Sequence, residues 1–167
     1  MGNWKKNSGK KERSLRKQVE ALKRAKLATK KVVKLSDFRE LKETSRPETI
    51  LVVDDDEVIR NGLTRILEGE GYQVIVAEDG MELSKILETV AMDLILLDVN
   101  LPWVDGLELC ELIKGNQLLK RIPLVLISAQ KTKQDLEKGF AAGCNEYLPK
   151  PFEVSSLIDV VDRLLVS

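Results

Sequence analysis

The stretch from Leu94 to Asp98 reads LILLD, four apolar residues that end in a carboxylate, and Asn100, Leu101 and Pro102 follow it closely. An apolar run this short predicts a strand that is buried on both faces, as is typical of parallel sheets. An ionised carboxylate beside such a core is costly unless it lies at the exposed end of the strand. Asp98 is therefore predicted to stand at a strand end, where it is open to chemistry.

Three further apolar segments lead into polar groups. Residues 50–53 (ILVV) precede Asp54, Asp55 and Asp56; residues 124–127 (LVLI) precede Ser128; a short segment around Tyr147 and Leu148 precedes Lys150. The carboxyl ends of parallel strands meet at one edge of an open sheet, and ligands bind there. The sequence therefore predicts one edge that carries acids, a hydroxyl group and an ammonium group.

From Ile50 onward, segments with the strand period and the helix period alternate five times. The predicted strands are 50–54, 72–77, 93–98, 123–128 and 146–148, and the predicted helices are 57–68, 80–90, 106–114, 132–142 and 153–166. The third helix is assigned an apolar side of Leu109, Leu112 and Ile113, and the fourth helix has few large apolar residues. Five repeats with short loops favour a parallel α/β sheet with helices on both faces.

The composition limits the possible chemistry. The 167 residues contain no histidine, which removes His-activated nucleophiles and His-based zinc sites. A metal site must then use oxygen ligands, which favours a hard cation such as Mg²⁺. Cys110 and Cys144 lie in apolar patterns, which indicates reduced, buried thiols in a cytoplasmic protein. Neither a transmembrane helix nor a signal peptide is expected, because no apolar run approaches ~20 residues and no apolar segment follows the Lys-rich start.

The charge is divided unevenly along the chain. Residues 1–46 carry 16 Lys and Arg against five Asp and Glu, whereas residues 47–167 carry 11 against 22. We therefore predict a basic N-terminal extension over 1–46 and a separate domain over 47–167. Residues 1–12 are expected to be disordered, Ser14 to Leu41 to be helical with a break near 34–37, and Arg46 to Glu48 to form a linker.

The predicted acidic cluster has a physical use. Asp54, Asp55 and Asp98 converge at the sheet edge, where three carboxylates repel and raise one another's pKa values. A Mg²⁺ ion removes that repulsion and takes oxygen ligands. Asp98, alone at the end of its strand, is the best candidate nucleophile, because carboxylates can accept phosphoryl groups. Lys150 and the ion would neutralise charge on the transferring group.

Residues 50–166 resemble a response-regulator receiver domain, the phosphoacceptor half of two-component signalling. The resemblance rests on five pieces in this order: VVDD at 52–55, LDVNLP at 97–102, Asp105-Gly106, Ser128-Ala129 and KPF at 150–152. It implies a flavodoxin-like, CheY-like fold, a doubly wound parallel sheet with strand order 2-1-3-4-5. It also implies a phosphoprotein of a phosphorelay that changes a binding surface and is not an enzyme beyond its own phosphorylation from a phosphodonor and slow self-dephosphorylation.

The resemblance assigns a role to each matching residue. Asp98 is the phosphoacceptor, and the metal ligands are Asp54, Asp55, Asp98 and the main-chain carbonyl of Asn100. Lys150 and Ser128 contact the phosphoryl group, and Ser128 and Tyr147 form a switch in which the ring moves inward. Asn100 and Gln130 tune the rate at which water removes the phosphoryl group. A histidine kinase or histidine phosphotransfer protein is the implied donor, and the face of the fourth helix, fifth strand and fifth helix is the implied output surface.

Plainer roles fit some of these residues. Asp56 and Asp105 are expected to cap the helices that follow them. Tyr147 has the alternative of being a fixed core ring, and Trp103 can equally contact a partner or pack within its own loop.

Two other functions remain open. A Mg²⁺-dependent phosphatase of the haloacid-dehalogenase type also uses a strand-end Asp, but it requires a second Asp two residues later, where this chain has Asn100. The second open function is a receiver-shaped module that binds its partner constitutively and is never phosphorylated. For residues 1–46, contact with a protein, binding to nucleic acid or anionic lipid, and self-association as a homodimer all stay open.

Overall fold

The structure, a computed structural model, describes residues 46–166. The predictions of disorder over 1–12 and of a helix from Ser14 to Leu41 lie outside these residues. Within them, strands and helices alternate in the order β1 Thr49–Val53, α1 Glu57–Gly69, β2 Gln73–Ala77, α2 Gly80–Thr89, β3 Leu94–Asp98, α3 Gly106–Gly115, β4 Leu124–Ser128, α4 Lys133–Ala141, β5 Glu146–Pro149 and α5 Val154–Leu165. Arg46 to Glu48 has no regular structure, as the linker prediction expected.

The five strands form one parallel sheet in the order β2-β1-β3-β4-β5. This order confirms the flavodoxin-like, doubly wound fold. Strand β3 lies at the centre, with all five of its residues buried. Its end therefore lies between the ends of β1 and β4, where a bound group can be reached from both sides.

The strands divide their side chains between two apolar cores. Ile50 and Val52 of β1 face the core that α1 and α5 cover, whereas Leu51 and Val53 face the core that α2 and α3 cover. Alternation is the normal consequence of the two-residue strand period. Helix α4 joins the second core through half-buried Leu136. The doubly wound arrangement thus covers both faces of the sheet with helices and apolar side chains, and the polar groups lie at the strand ends.

Two details differ from the sequence prediction. Helix α1 continues through Gly69, and the turn is made at Gly71, whose φ of 92° lies in the left-handed region that favours glycine. Leu112, predicted on the apolar side of α3, is 64% exposed, while Cys110 is fully buried. The helix is rotated so that the smaller thiol faces the sheet.

The cysteines and the membrane prediction can be checked in the described part. Cys110 and Cys144 are free and buried. Burial raises the pKa of Cys110 to about 11 and that of Cys144 to about 12, so both thiols stay protonated at neutral pH. Among residues 46–166, no helix combines the length and the apolar character needed to span a bilayer.

Candidate functional site

The predicted strand-end residues do meet at one edge of the sheet. Asp54 directly follows β1, Asp98 and Ser128 end β3 and β4, and Lys150 directly follows β5. Asp98 pairs in register with Ile127, so Ser128 lies one step beyond it on the neighbouring strand. Asp54, Asp98 and Ser128 are buried polar groups, with 2%, 6% and 0% of their surfaces exposed. Buried polar groups need partners, and the site supplies them.

Three carboxylates form the centre of the site. Asp54, Asp55 and Asp98 each offer one oxygen, and these oxygens all lie within 4.8 Å of one another. Asp55 is exposed and the other two are buried. Three oxygen donors at this spacing, one of them open to solvent, fit a hard cation that retains some of its water, as Mg²⁺ does. The donor chemistry therefore fits the ion predicted from the sequence.

Every polar atom of Asp54 has a partner. Its N–H donates to the carbonyl of Ala77 at 3.3 Å, and its carbonyl accepts from the Arg60 guanidinium at 2.8 Å. One carboxylate oxygen accepts from the N–H of Asp56 at 2.8 Å, and the other accepts from Lys150 Nζ at 3.2 Å. Four bonds to one residue fix both its backbone and the direction of its carboxylate.

Arg60 was not identified from the sequence. Its side chain is buried on α1, and besides the Asp54 carbonyl it binds a carboxylate oxygen of Glu78 at 2.9 Å. The carbonyl of Glu78 in turn accepts from the indole N–H of Trp103 at 3.3 Å. Arg60, Leu63 and Leu67 are spaced i, i+3, i+7 on the buried stripe of α1, and a charged residue in that stripe is the signal that could have revealed it.

Trp103 packs within the molecule. A Cβ atom at Gly80 would lie 3.0 Å from two atoms of the indole ring, so the ring lies directly on the first turn of α2. The side chain is half-buried. The ring therefore packs within the molecule, against α2 and Glu78 and not within its own loop, and contact with a partner stays a prediction. The Trp103 and Arg60 bonds to Glu78 tie together the three loops that follow β1, β2 and β3.

Asp98 has an unusual electrostatic environment. Burial raises the pKa of its carboxyl above the ordinary value, and the charges of Asp54 and Asp55 act in the same direction. A hydrogen bond of 3.1 Å from the N–H of Asn100 opposes this rise, as does the ammonium of Lys150 at 3.7 Å. Without a cation the site is therefore short of positive charge, and a bound cation would correct this.

A glycine behind Asp98 shapes its loop. A Cβ atom at Gly106 would lie 2.4 Å from the carbonyl oxygen of Asp98 and 2.5 Å from Cα of Val99. The start of α3 can therefore lie against the end of β3 only because residue 106 has no side chain. Asp105 caps α3 through the N–H of Leu107 at 2.8 Å, as expected.

The other acid with an expected capping role behaves in the same way. Asp56 accepts from the N–H groups of Val58 and Ile59 at the start of α1. Its carboxylate is thereby committed to the helix, in keeping with its exclusion from the predicted metal ligands.

Ser128, Gln130 and Tyr147 are linked on the far side of Asp98. Ser128 Oγ accepts from the N–H of Gln130 at 3.0 Å, and the Tyr147 hydroxyl donates to the carbonyl of Gln130 at 2.8 Å. Tyr147 is 6% exposed, so its ring lies inward. Burial raises the pKa of the Tyr147 phenol, although the Ser128 hydroxyl acts against this. The phenol is therefore a neutral donor at physiological pH.

A cleft of about 630 Å³ opens beside the acids. It is lined by Asp55, Asn100, Trp103, Asp105 and Gln130 together with apolar residues of the loop after β3. Asn100 and Gln130 thus reach the same space, next to the acidic centre. The structure brings Asp54, Asp55, Asp98 and Lys150 together, and it links Ser128, Gln130 and Tyr147 as a second group beside the end of β4.

Comparison with known proteins supports the predicted resemblance. The family model of the response regulator receiver domain matches residues 50–162. The response regulator MprA of Mycobacterium tuberculosis is 37% identical over 116 residues, which are 70% of this chain and 50% of that protein. The probable transcriptional regulator ycf29 of Pyropia yezoensis is 31% identical over 116 residues, 70% of this chain and 52% of that protein. The chain therefore spans about half the length of the curated relatives that it matches.

Solved structures give the same result. A putative response regulator from Chloroflexus aurantiacus has a TM-score of 0.68 at 37% identity, with 73% of this chain and 100% of that chain covered. The receiver domain of the sensor histidine kinase PA1611 from Pseudomonas aeruginosa has a TM-score of 0.66 at 30% identity, with 73% and 100% covered. That receiver domain was solved with a magnesium ion coordinated in its active site cleft.

Proposed function

The chain belongs to the response regulator receiver domain family, and from this premise we propose that it accepts a phosphoryl group on Asp98 in a Mg²⁺-dependent transfer. The observation that supports this best is the grouping of Asp54, Asp55 and Asp98, whose oxygens lie within 4.8 Å of one another, with Lys150 bound to two of them. Receiver domains bind Mg²⁺ at an acidic site of this kind. Asp98 is the carboxylate at the end of the central strand, so it is the nucleophile.

The residues divide the work of transfer between them. A carboxylate oxygen of Asp98 forms a bond to phosphorus, while the bond from phosphorus to the donor breaks and its electron pair leaves with the donor. Asp54, Asp55 and the carbonyl of Asn100 hold the ion together with Asp98. The bound ion supplies positive charge to the phosphoryl oxygens. Lys150 would supply more positive charge, and its ion pairs with Asp54 and Asp98 hold its ammonium at the site.

The switch uses groups that already touch. The Ser128 hydroxyl donates to a phosphoryl oxygen on Asp98, and the chain of bonds through Gln130 favours the inward position of Tyr147. The proposed output surface is the face of α4, β5 and α5. Phe140 and Val154, each 48% exposed, give that face apolar groups that a downstream protein can contact.

The partners and location follow from the phosphorelay. A histidine kinase or histidine phosphotransfer protein is the proposed donor, because the 167 residues contain no histidine that could carry the group first. Transfer of this kind takes place in the cytoplasm, where we place the protein. The chain's own catalysis is limited to accepting the phosphoryl group and slowly losing it.

The lifetime of the phosphoryl group is assigned to Asn100 and Gln130. Both amides line the cleft next to the acids, where an attacking water would approach. We expect Asn100→Ala to change the rate at which labelled phosphate leaves the protein, with Asn61→Ala, an exposed position on α1, as the control. Equal rates for native protein and Asn100→Ala would contradict this assignment.

The boundary between residues 1–46 and 47–167 is proposed from charge alone. We assign the basic extension to a protein partner, with nucleic acid, anionic lipid and homodimer formation as the competing outcomes. Full-length protein and a variant that lacks residues 1–46 are compared for binding to DNA and to vesicles, and for size, at several salt concentrations. The assignment to a protein partner would be contradicted if full-length protein binds DNA or vesicles and the shortened variant does not. It would also be contradicted if full-length protein is larger than the shortened variant by more than the deleted mass.

Intact mass spectrometry tests phosphoryl transfer. The protein is incubated with acetyl phosphate and Mg²⁺, and we expect an adduct of roughly 80 daltons, one PO₃H group. The adduct should be lost in Asp98→Asn and retained in Asp56→Asn, because asparagine still caps α1 there. An adduct on Asp98→Asn would overturn the assignment.

Turnover of a general phosphatase substrate would favour the dehalogenase-type alternative, and equal partner binding with and without phosphate would favour a constitutive module.

A further inference from the structure

Helix α4 lies against the rest of the molecule with a glycine and the half-buried Leu136. Within Lys133–Ala141, all of which the structure describes, Gly139 is the only buried residue. A Cβ atom at this position would lie 2.6 Å from Cδ2 and 3.0 Å from Cε2 of Tyr147, and 3.2 Å from Cδ1 of Leu126. Real Cβ contacts are not this short, and a ring fixed at Cβ and at its hydroxyl cannot yield like a flexible chain end. The helix and the inward ring therefore fit together only because residue 139 has no side chain.

The helix itself gains nothing from this glycine. Gly139 lies inside α4, well away from the Thr132 cap that begins the helix. An interior glycine lowers the folding equilibrium constant roughly two- to fivefold relative to alanine, because the unfolded chain has more freedom to lose. Gly62 is a natural comparison, since it lies inside α1 with nothing near its missing Cβ. At Gly139, unlike Gly62, a specific neighbour requires the small residue.

We propose that Gly139 is a positioning residue of the switch, through which the inward ring of Tyr147 sets the place of α4. The ring is held at its other end by the bond to Gln130, whose N–H binds Ser128. A continuous set of contacts thus runs from the phosphoryl-binding hydroxyl to the helix of the output face. The step from ring movement to signalling rests on the proposed function, whereas the packing of helix on ring does not.

The packing of Gly139 on Tyr147 is tested by whether the effect of Gly139→Ala on stability reverses its sign when the Tyr147 ring is removed. Gly62→Ala should raise the folding equilibrium constant by roughly two- to fivefold. Gly139→Ala should lower it while Tyr147 is present, and should raise it in a Tyr147→Ala or Tyr147→Leu background, where the ring is gone. Urea unfolding of the metal-free proteins measures each value. If Gly139→Ala raises stability with Tyr147 in place, as Gly62→Ala does, the proposal is overturned.

A spectroscopic measurement separates positioning from general destabilisation. The chain has two tyrosines, so fluorotyrosine labelling gives two ¹⁹F signals, and Tyr72→Phe assigns them. Gly139→Ala should move the Tyr147 signal towards that of an exposed ring and leave Tyr72 unchanged. It should also weaken binding of beryllofluoride with Mg²⁺ by roughly fivefold, at the low end of known couplings between sites. An unmoved Tyr147 signal with unchanged beryllofluoride affinity would contradict the proposal.

Failure of this proposal can be told from failure of the proposed function. If the Asp98 adduct forms but Gly139→Ala behaves like Gly62→Ala, the positioning role is wrong and the phosphoacceptor role stands. If the sign reversal appears but no adduct forms on Asp98, the packing stands and its use in phosphoryl signalling is wrong.

Discussion

Helices α4 and α5 follow the two strands next to the site, β4 and β5, but they are attached to the sheet very differently. Helix α5 buries Leu157, Val160 and Val161 in the core that it shares with α1. Helix α4, on the other face, buries Gly139 and packs Leu136 only partly. Packing energy grows with buried apolar area, so α5 is firmly held and α4 has little to hold it.

The same contrast divides the site. At the end of β1, four hydrogen bonds fix Asp54, one of them from Lys150 at the end of β5, and Arg60 links it to the loop after β2. On the side of β4, one bond from Tyr147 to Gln130 and the contact with Gly139 set the ring. A site that binds an ion needs rigid ligands, and a site that signals needs an element that can move. Under the proposed function, Asp54 and its partners would meet the first requirement, and Tyr147 and α4 would meet the second.

The largest expected effect compares core leucines from the two helices. Leu157→Ala on α5 should lower the free energy of unfolding by about 2–5 kcal/mol, because it leaves a cavity in a fully buried place. Leu136→Ala on α4 should cost about 1 kcal/mol, a typical value for a partly exposed position. Urea unfolding at neutral pH measures both. Similar losses from the two variants would remove the basis for calling α4 weakly held.

A smaller effect is expected on the rigid side. Asp54→Asn should weaken Mg²⁺ binding by at least about tenfold, since mutations of groups that merely support metal ligands already cost 10–100-fold. Calorimetric titration measures the affinity, and Asp56→Asn controls for the loss of a nearby charge that is not a ligand. An affinity that falls equally in both variants would mean that general charge, and not ligation by Asp54, binds the ion.

How much of this could be read from the sequence depends on distance along the chain. The apolar runs before Asp54, Asp98 and Ser128 gave the strands and the strand ends, because burial of a strand on both faces leaves a local pattern. The cap at Asp56 is also local. The meeting of the acids and Lys150 at one edge followed from the strand ends, whereas the strand order and the roles of Ser128, Tyr147, Asn100 and Gln130 came from the resemblance, which carried the long-range information that the local pattern lacks.

The residues that were missed act over longer distances. Arg60 resembles a surface residue until the buried stripe of α1 is packed on the sheet, which places its guanidinium beside the Asp54 carbonyl and Glu78. Gly139 and Tyr147 are eight residues apart on different elements, and their contact depends on how α4 meets β5. Gly106 was predicted only as the first residue of the third helix and as part of a matching motif, and its closeness to the Asp98 carbonyl needs the start of α3 in place. Sequence patterns report local structure, whereas these contacts arise from tertiary packing.

The smallest expected effect is a pH dependence. Burial raises the folded-state pKa of Asp98 above its ordinary value of 3.8. As pH rises, the Asp98 carboxyl therefore loses its proton in the unfolded chain before it does so in the folded protein. Ionisation of Asp98 thus lowers the free energy of unfolding as pH rises above the ordinary pKa. Without Mg²⁺, Asp98→Asn should be more stable than native protein at neutral pH and equal to it below pH 3.8.

Thermal unfolding across this pH range measures the difference between the two proteins. Added Mg²⁺ should stabilise native protein more than Asp98→Asn, because the variant has lost a ligand. If the variant is no more stable than native protein at neutral pH without the ion, the electrostatic description of Asp98 is wrong.

Hydrogen exchange, compared with and without beryllofluoride and Mg²⁺, tests most directly whether a change at Asp98 reaches one side of the molecule. We predict slower exchange in α4 and β5 and little change in α5. Beryllofluoride stands in for the phosphoryl group on Asp98, and it should favour the inward position of the Tyr147 ring, on which α4 rests. Equal changes in α4 and α5, or no change in α4 while beryllofluoride is bound, would contradict the account.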